Sequence, residues 1–294
     1  MKCMDIKYYH EIRRGDGVVL SVDNIVAVYK IGAQAKRDKL MSLITQMQLS
    51  NDVDVQHWIS LKTFSFHDNF DFKFCDGTSF WLGVGFIKFG KTDYGRMSID
   101  FNPNKVAEKD ALRTLLDYLN ATARRDCRSI KRFDLAIDIP TQRKHVLLEK
   151  DRRAYTCFES CGALTEYLGA KSSTVGRVKL YDKTAESGLD YPLTRLELTL
   201  DPKMGLCDID LPNVYVVTDY QTSLFDIRLT DTDRFILAAL LARCGKLSDL
   251  GRGERNKMRR VLEQITAKIT IDERDYQAIQ AQLRGYLTPH CWPD

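Results

Sequence analysis

The sequence predicts an α+β protein: an antiparallel β-sheet with flanking helices, followed by a helical C-terminal region. Three observations carry that reading. From residue 53 to 101 aromatic and polar residues alternate, with Gly77, Gly83, Gly85, Gly90 and Gly95 as punctuation, the pattern of an antiparallel meander. Three later runs, 130–140, 175–182 and 193–200, alternate in the same way. From Asp231 the period changes, and "DTDRFILAALLARC", "RGERNKMRRVLEQI" and "DERDYQAIQAQLRGYL" are helix-spaced. The change divides the chain into a sheet region, 1–230, and a helical region, 231–294, packed on it.

The other elements follow in order. "GVVLSVDNIVAVYKI" (17–31) reads as a first strand or strand pair, and 37–48 has helical spacing. After the meander, Pro103 ends the last strand and Asn104 is placed to cap the next helix. That helix carries the stripe Val106, Leu112, Leu115, Leu116 and Leu119 and runs to about residue 124. A short strand over 165–169 fits between the first two of the later runs.

Composition narrows the class. The 294 residues are 44% apolar, enough for a sizeable core. Net charge is only +4, so a nucleic-acid footprint has to come from local clustering. No apolar run approaches the roughly 20 residues of a membrane helix, and "MKCMDIKYYHEIRRGDG" has no apolar stretch of signal-peptide type. The eight cysteines are scattered and form no Cys-x-x-Cys, which reads as reduced thiols in a cytoplasmic protein. Cys157 and Cys161 are four apart, but no histidine stands at a zinc-site spacing.

Parity sorts the strands into an apolar face and a chemical one. Met97, Ile99 and Phe101 oppose Arg96, Ser98 and Asp100; Phe133, Leu135, Ile137 and Ile139 oppose Arg132, Asp134, Ala136 and Asp138. Leu196, Leu198 and Leu200 oppose Arg195, Glu197 and Thr199, and in "RVKLYDKTAE" the phenol of Tyr181 shares a side with Arg177, Lys179 and Lys183. One sheet holding all four strands gathers acids, a phenol and cations on its wet face. Asp134 and Asp138, about 13 Å apart along one strand, do not grip one ion. A metal site draws Asp100, one of Asp134 and Asp138, and Glu197 from neighbouring strands, and such hard oxygen ligands suit Mg²⁺ or Mn²⁺. Cations beside the phenol favour the phenolate, which suits phosphoryl transfer with the tyrosine as nucleophile and a divalent ion polarising the phosphate.

"FNPNK" (101–105), "KRFDLAID" (131–138), "EYLGAKSS…RVKLYDKTAE" (166–186) and "TRLEL" (194–198) come in the order and spacing of the Rep_trans family. The sequence resembles these rolling-circle plasmid replication initiators, and the related nickases of conjugative elements, from about residue 18 to 271. The resemblance implies a homodimer that binds an inverted-repeat double-strand origin and nicks one strand. The products are a 5′-phosphotyrosine and a free 3′ hydroxyl, with a single strand displaced by a UvrD-like helicase. It puts the nucleophile on Tyr181, with Arg177 and Lys183 beside it, and the metal-site acids on Asp134 and Glu197, with Asp100 and Asp138 as further candidates. Residues 1–230 become the nicking and joining domain and 231–294 the origin-recognition region. No His-x-His pair exists here, so the paired-histidine metal site of other rolling-circle nickases is excluded. Tyr167, in "EYLG", is the rival tyrosine, with fewer cations near it.

The DNA-reading element is expected in 243–260, which holds seven basic residues and two acidic ones. Met258, Val261, Leu262 and Ile265 share one helix face; Arg252, Asn256, Arg259 and Arg260 point the other way, a pairing suited to guanine and adenine in the major groove. The resemblance extends the determinant over 251–260, which adds Arg255 and Lys257. A second basic cluster, Arg124, Arg125, Arg128, Lys131 and Arg132, suits phosphates or a helix C-terminus. "GFIKFGKT" (85–92) fits the P-loop pattern by letter, but strand formers fill its loop positions and another strand follows it, so it reads as a β-hairpin.

Overall fold

The computed structural model describes residues 8–288 apart from 33, 51, 61–65, 90–91, 161, 171–172, 174, 218–228, 243 and 246. The elements run β1 (Glu11–Arg13), β2 (Val19–Ile31), α1 (Gln34–Leu49), β3 (Asp54–Ile59), β4 (Asp68–Lys73), β5 (Ser79–Phe89), β6 (Thr92–Phe101), α2 (Pro103–Val106) and α3 (Asp110–Thr122). Then come β7 (Arg128–Ile139), β8 (Val146–Leu148), β9 (Tyr155–Ser160), β10 (Ala163–Leu168), β11 (Val178–Asp182), α4 (Lys183–Ser187), β12 (Thr194–Leu200) and β13 (Val214–Val217). The last are α5 (Asp231–Leu241), α6 (Arg252–Ile265), β14 (Thr266–Lys268) and α7 (Glu273–Gly285). The fold is α+β, as the alternation and the late change of period require.

The main sheet is antiparallel, in the order β3-β4-β5-β6-β2-β7-β12-β11-β10-β9, with β1 on β2. Its apolar face is the core: Leu20, Ile25, Met97, Ile99, Phe133, Leu135, Leu196 and Leu198 pack with Leu112, Leu115, Leu116 and Leu119 of α3. Two bulges in the β2–β7 pairing shift the phase. The first inserts Asp23 between Val22 and Asn24, so Asp23 and Asn24 reach groups of the polar face while Ile25 returns to the core. The second lets Ile130 join the core although Arg132 and Asp134, of the same parity, do not.

The first run, expected as one strand or a strand pair, is one strand of thirteen residues. The start of the next helix departs from the sequence reading. Asn102, not Asn104, precedes the short α2, with no side-chain cap; Asn104 instead accepts from Tyr9 N (2.9 Å) and donates to Val22 O (3.2 Å). Its amide satisfies two other segments, which spacing alone does not reveal. "GFIKFGKT" lies on the β5–β6 hairpin, where Phe89 pairs with Thr92. Gly90 and Lys91 are outside the described residues, and the strand after them leaves no helix N-terminus for a phosphate.

Among the described residues the buried apolar side chains form two clusters. A second cluster, Leu237, Leu240, Met258, Val261, Leu262 and Ile265, joins α5 to α6 beside a small sheet β14-β13-β8. Near the C-terminus α7 returns to the main core through Tyr276, Ile279 and Leu283. Periodicity identifies a helix; which core it joins is a tertiary choice. Among the described residues no helix is long and apolar enough to cross a membrane. Cys157 is a free, exposed thiol, and Cys161 is outside the described residues.

Candidate active site on the polar face of the sheet

Register brings the chemistry together. Across β11, β12 and β7, Tyr181 lies opposite Arg195 and Arg195 opposite Asp138; one row on, Lys179 faces Glu197; one further, Thr199 faces Asp134. Asp134 pairs with Asn24 of β2, and Val26 of β2 lies between Arg132 and Asp100. Tyr181 and Glu197 are diagonal neighbours, within reach for long side chains.

The Tyr181 hydroxyl donates to Glu197 Oε1 at 2.6 Å. Lys179 Nζ lies 3.7 Å from the Tyr181 ring centroid and 3.7 Å from Glu197 Oε2, bridging the phenol and its acceptor. The expected wet face is largely closed here: Tyr181 is only 4% exposed. The open side is that of Glu197 and Lys179, whose side chains are 18% and 29% exposed. Burial first, and then the Glu197 charge, push the phenol above its ordinary pKa. The expectation that cations would favour the phenolate is therefore reversed in this arrangement. Burial also raises Glu197, with the Asp23 charge adding to it, and so makes it a better proton acceptor than an ordinary glutamate.

Beneath this pair lies a network the sequence reading missed. Arg195 is 3% exposed; its Nε and Nη2 hold the two oxygens of Asp138 at 2.6 and 2.7 Å, and its Nη1 reaches Asp23 at 2.9 Å. The Tyr8 hydroxyl also donates to Asp138. Asp138, a metal-site candidate by sequence, has both oxygens taken by guanidinium and phenol. The signal was there, in Arg195 and Asp138 on the polar parity of two strands, but the register that pairs them was not.

The acids left over, Asp134 and Asp100, are the remaining candidates for holding a cation. Asp134 Oδ1 is buried without a hydrogen-bond partner. Burial raises the Asp134 carboxyl, and the charges of Asp23 and Asp100 add to the effect. Asp100 Oδ1 accepts from Asn24 Nδ2 at 2.8 Å, its other oxygen is 3.8 Å from Arg132, and burial raises it too. Among the described residues no three His, Cys, Asp or Glu side chains gather as a metal cluster. Mg²⁺ is commonly held by only one or two carboxylates with water and phosphate oxygens, and Asp134 with its orphaned oxygen and Asp100 beside it fit that donor set. Glu197, expected as a ligand, is instead engaged with Tyr181 and Lys179.

The remaining candidates separate. Lys183 is not on the strand: β11 ends at Asp182, which caps α4, and Lys183 pairs with Glu186 while standing 5.8 Å from the Tyr181 ring. Arg177 lies over Tyr167, 4.8 Å from its centroid. On α6, Met258, Val261, Leu262 and Ile265 are buried as spaced. Arg252, Asn256 and Arg260 are exposed at successive turns. Three other cations of that helix act within the protein. Arg255 donates to the carbonyls of Leu247 and Leu250 (3.0 and 2.9 Å), Lys257 pairs with Asp233 (2.7 Å), and Arg259 Nε donates to Glu149 (2.9 Å). In the second basic cluster Arg128 donates to Asn120 O at 2.6 Å, at the C-terminal end of α3.

No family model matches this sequence, and no curated protein matches it. The functional reading therefore stands on the geometry and on the motifs.

Proposed function

We propose that this protein is a site-specific DNA nicking and joining enzyme that initiates rolling-circle plasmid replication, as the likeness to Rep_trans proteins implies. The observation that carries it is the 2.6 Å hydrogen bond from Tyr181 to Glu197, an oriented nucleophile with a carboxylate whose pKa is raised by burial. In the step proposed, Tyr181 Oη attacks a DNA phosphorus as its proton passes to Glu197 Oε1. The bond from phosphorus to the 3′ oxygen breaks, and that oxygen takes up a proton from water. A 5′-phosphotyrosine and a 3′ hydroxyl remain, and the reverse step rejoins the strand. Lys179 balances the charge gained by the phenol and phosphate, and Arg195 with Asp138 holds the neighbouring strand position. Asp134 and Asp100 would hold Mg²⁺ or Mn²⁺, which supplies polarisation of the phosphate when bound. Arg252, Asn256 and Arg260 are the proposed groove-reading residues. Homodimerisation on an inverted-repeat origin and a UvrD-like helicase partner belong to the same proposal, and an integrative-element nickase is its contextual variant.

A DNA-binding protein without catalysis is the second reading, favoured by the 4% exposure of Tyr181. Incubation with supercoiled DNA carrying randomised inserts and Mg²⁺ separates the two. The proposal expects protein covalently attached to 5′ ends, and none with Tyr181→Phe. Binding without any adduct supports the second reading.

A further inference from the structure

The polar face continues past Tyr181 to the edge of the sheet. Tyr167 of β10 lies opposite Lys179, and Phe158 of β9 opposite Thr165. Parity puts Phe158, Thr165, Tyr167 and Lys179 on the face that carries Tyr181. The carboxylates of the same hairpin, Glu159 and Glu166, fall on the other face, since they pair with Leu164 and Cys157.

Phe158 is 62% exposed, an unusual state for a large ring on a strand. It meets Tyr167 edge to face, with centroids 5.9 Å apart. Arg177 covers Tyr167, and its Nε is buried without a hydrogen-bond partner. Gly169, at φ +92°, turns the chain out of β10, and a Cβ there would lie 3.3 Å from the Arg177 Cα. Glycine thus allows the close approach that seats the guanidinium. Rings and cations alternate from the sheet edge to the candidate nucleophile: Phe158, Tyr167 with Arg177, then Lys179 beside Tyr181.

We infer that this strip is a binding track for single-stranded DNA, with bases stacked on Phe158 and Tyr167 and phosphates at Arg177 and Lys179. Its destination at Tyr181 rests on the nicking reading. Exposed rings stack any base, and cations beside them follow the backbone, which is how single strands are held without sequence preference. A duplex keeps its bases stacked inside and has no use for the rings. An apolar protein partner has no use for the cations of this strip, where Lys179 already shares the Glu197 carboxylate with Tyr181.

The test is fluorescence anisotropy with a short labelled oligothymidylate, without divalent ions so that no chemistry intervenes. Phe158→Ala and Tyr167→Ala are each expected to weaken binding about tenfold. Arg177→Gln is expected to lower the slope of log affinity against log salt by roughly 0.7. Trp58→Ala, an exposed ring on β3 at the opposite end of the strand order, is the control and leaves affinity unchanged. Phe158 is exposed, so its variant folds. Unchanged affinity in Phe158→Ala overturns the inference. So does equal weakening of duplex binding, or loss of a self-associated form with oligonucleotide affinity intact. Ring-dependent binding with no adduct on Tyr181 removes the nicking reading and keeps the track; an adduct with affinity indifferent to Phe158 does the reverse.

Discussion

The polar face around Tyr181 and the outer face of α6 both concentrate charge, and they are built in opposite ways. On the sheet, Asp23, Asp100, Asp134, Asp138 and Glu197 come from four strands. Arg195 answers two of them, while Asp100, Asp134 and Glu197 are raised by burial. On α6, charge comes from one continuous segment. Two of its cations are matched to carboxylates elsewhere in the fold, Lys257 to Asp233 and Arg259 to Glu149, and Arg252, Asn256 and Arg260 are exposed. A sheet can hold a frustrated acid cluster because many strands share the cost of burying it. A lone helix on a small core exposes whatever it cannot pair. The first arrangement suits chemistry and a cation; the second suits a polyanion arriving from outside.

The comparison is broken most directly at Glu197. If it accepts the phenol proton, Glu197→Gln lowers cleavage by roughly 10²–10⁴-fold with DNA affinity retained. The wild-type rate rises with pH through a pKa above the ordinary glutamate value of about 4.3, because the carboxyl is raised and must be ionised to act as base. In the glutamine variant that limb is gone. A normal rate with an unchanged pH profile removes Glu197 from the reaction.

A smaller effect is expected on α6. Arg260→Ala weakens duplex binding about tenfold and lowers the salt slope by roughly 0.9, while cleavage of a single-stranded substrate stays as it was. Arg259→Ala behaves differently. It leaves Glu149 without its cation and lowers stability by about 1 kcal/mol, reduced by solvent on the Arg259 side, whose side chain is 42% exposed. Thermal melts of the two variants separate the pairs that hold the helix from the groups proposed to read DNA.

The smallest effect has the most informative sign. A carboxyl raised in the fold penalises the folded state as pH rises above its unfolded pKa, and does so in full once pH exceeds the raised value, so its contribution is best at low pH and declines as pH rises. Asp134→Asn is therefore expected to raise Tm at neutral pH by about 2–4 °C, and to lack the rise that Mn²⁺ is expected to give the wild type. A fall in Tm, with the Mn²⁺ response intact, places the cation elsewhere.

How much of this was readable in the sequence follows from the range of each interaction. Met258, Val261, Leu262 and Ile265 obey a local period, so the buried face of α6 was visible. The same period placed Arg259 on the outer side, but Glu149, 110 residues away, decides its partner. Parity gave the side of the sheet for Tyr181, Glu197, Asp134 and Asp100. Which acid touches which partner depends on cross-strand register and on the Asp23 bulge, and neither leaves a local mark. Lys183 was misplaced because alternation does not show where a strand ends; the Asp182 cap ends it. The burial of Tyr181 depends in turn on how its neighbours close over it.

Tyr181, oriented by Glu197, is proposed to carry the covalent link. Mass spectrometry of the protein digested after incubation with randomised single-stranded DNA and Mg²⁺ tests it without knowledge of the target sequence. A nucleotide phosphodiester is expected on the peptide that contains Tyr181. A modification on Tyr167 alone would contradict it.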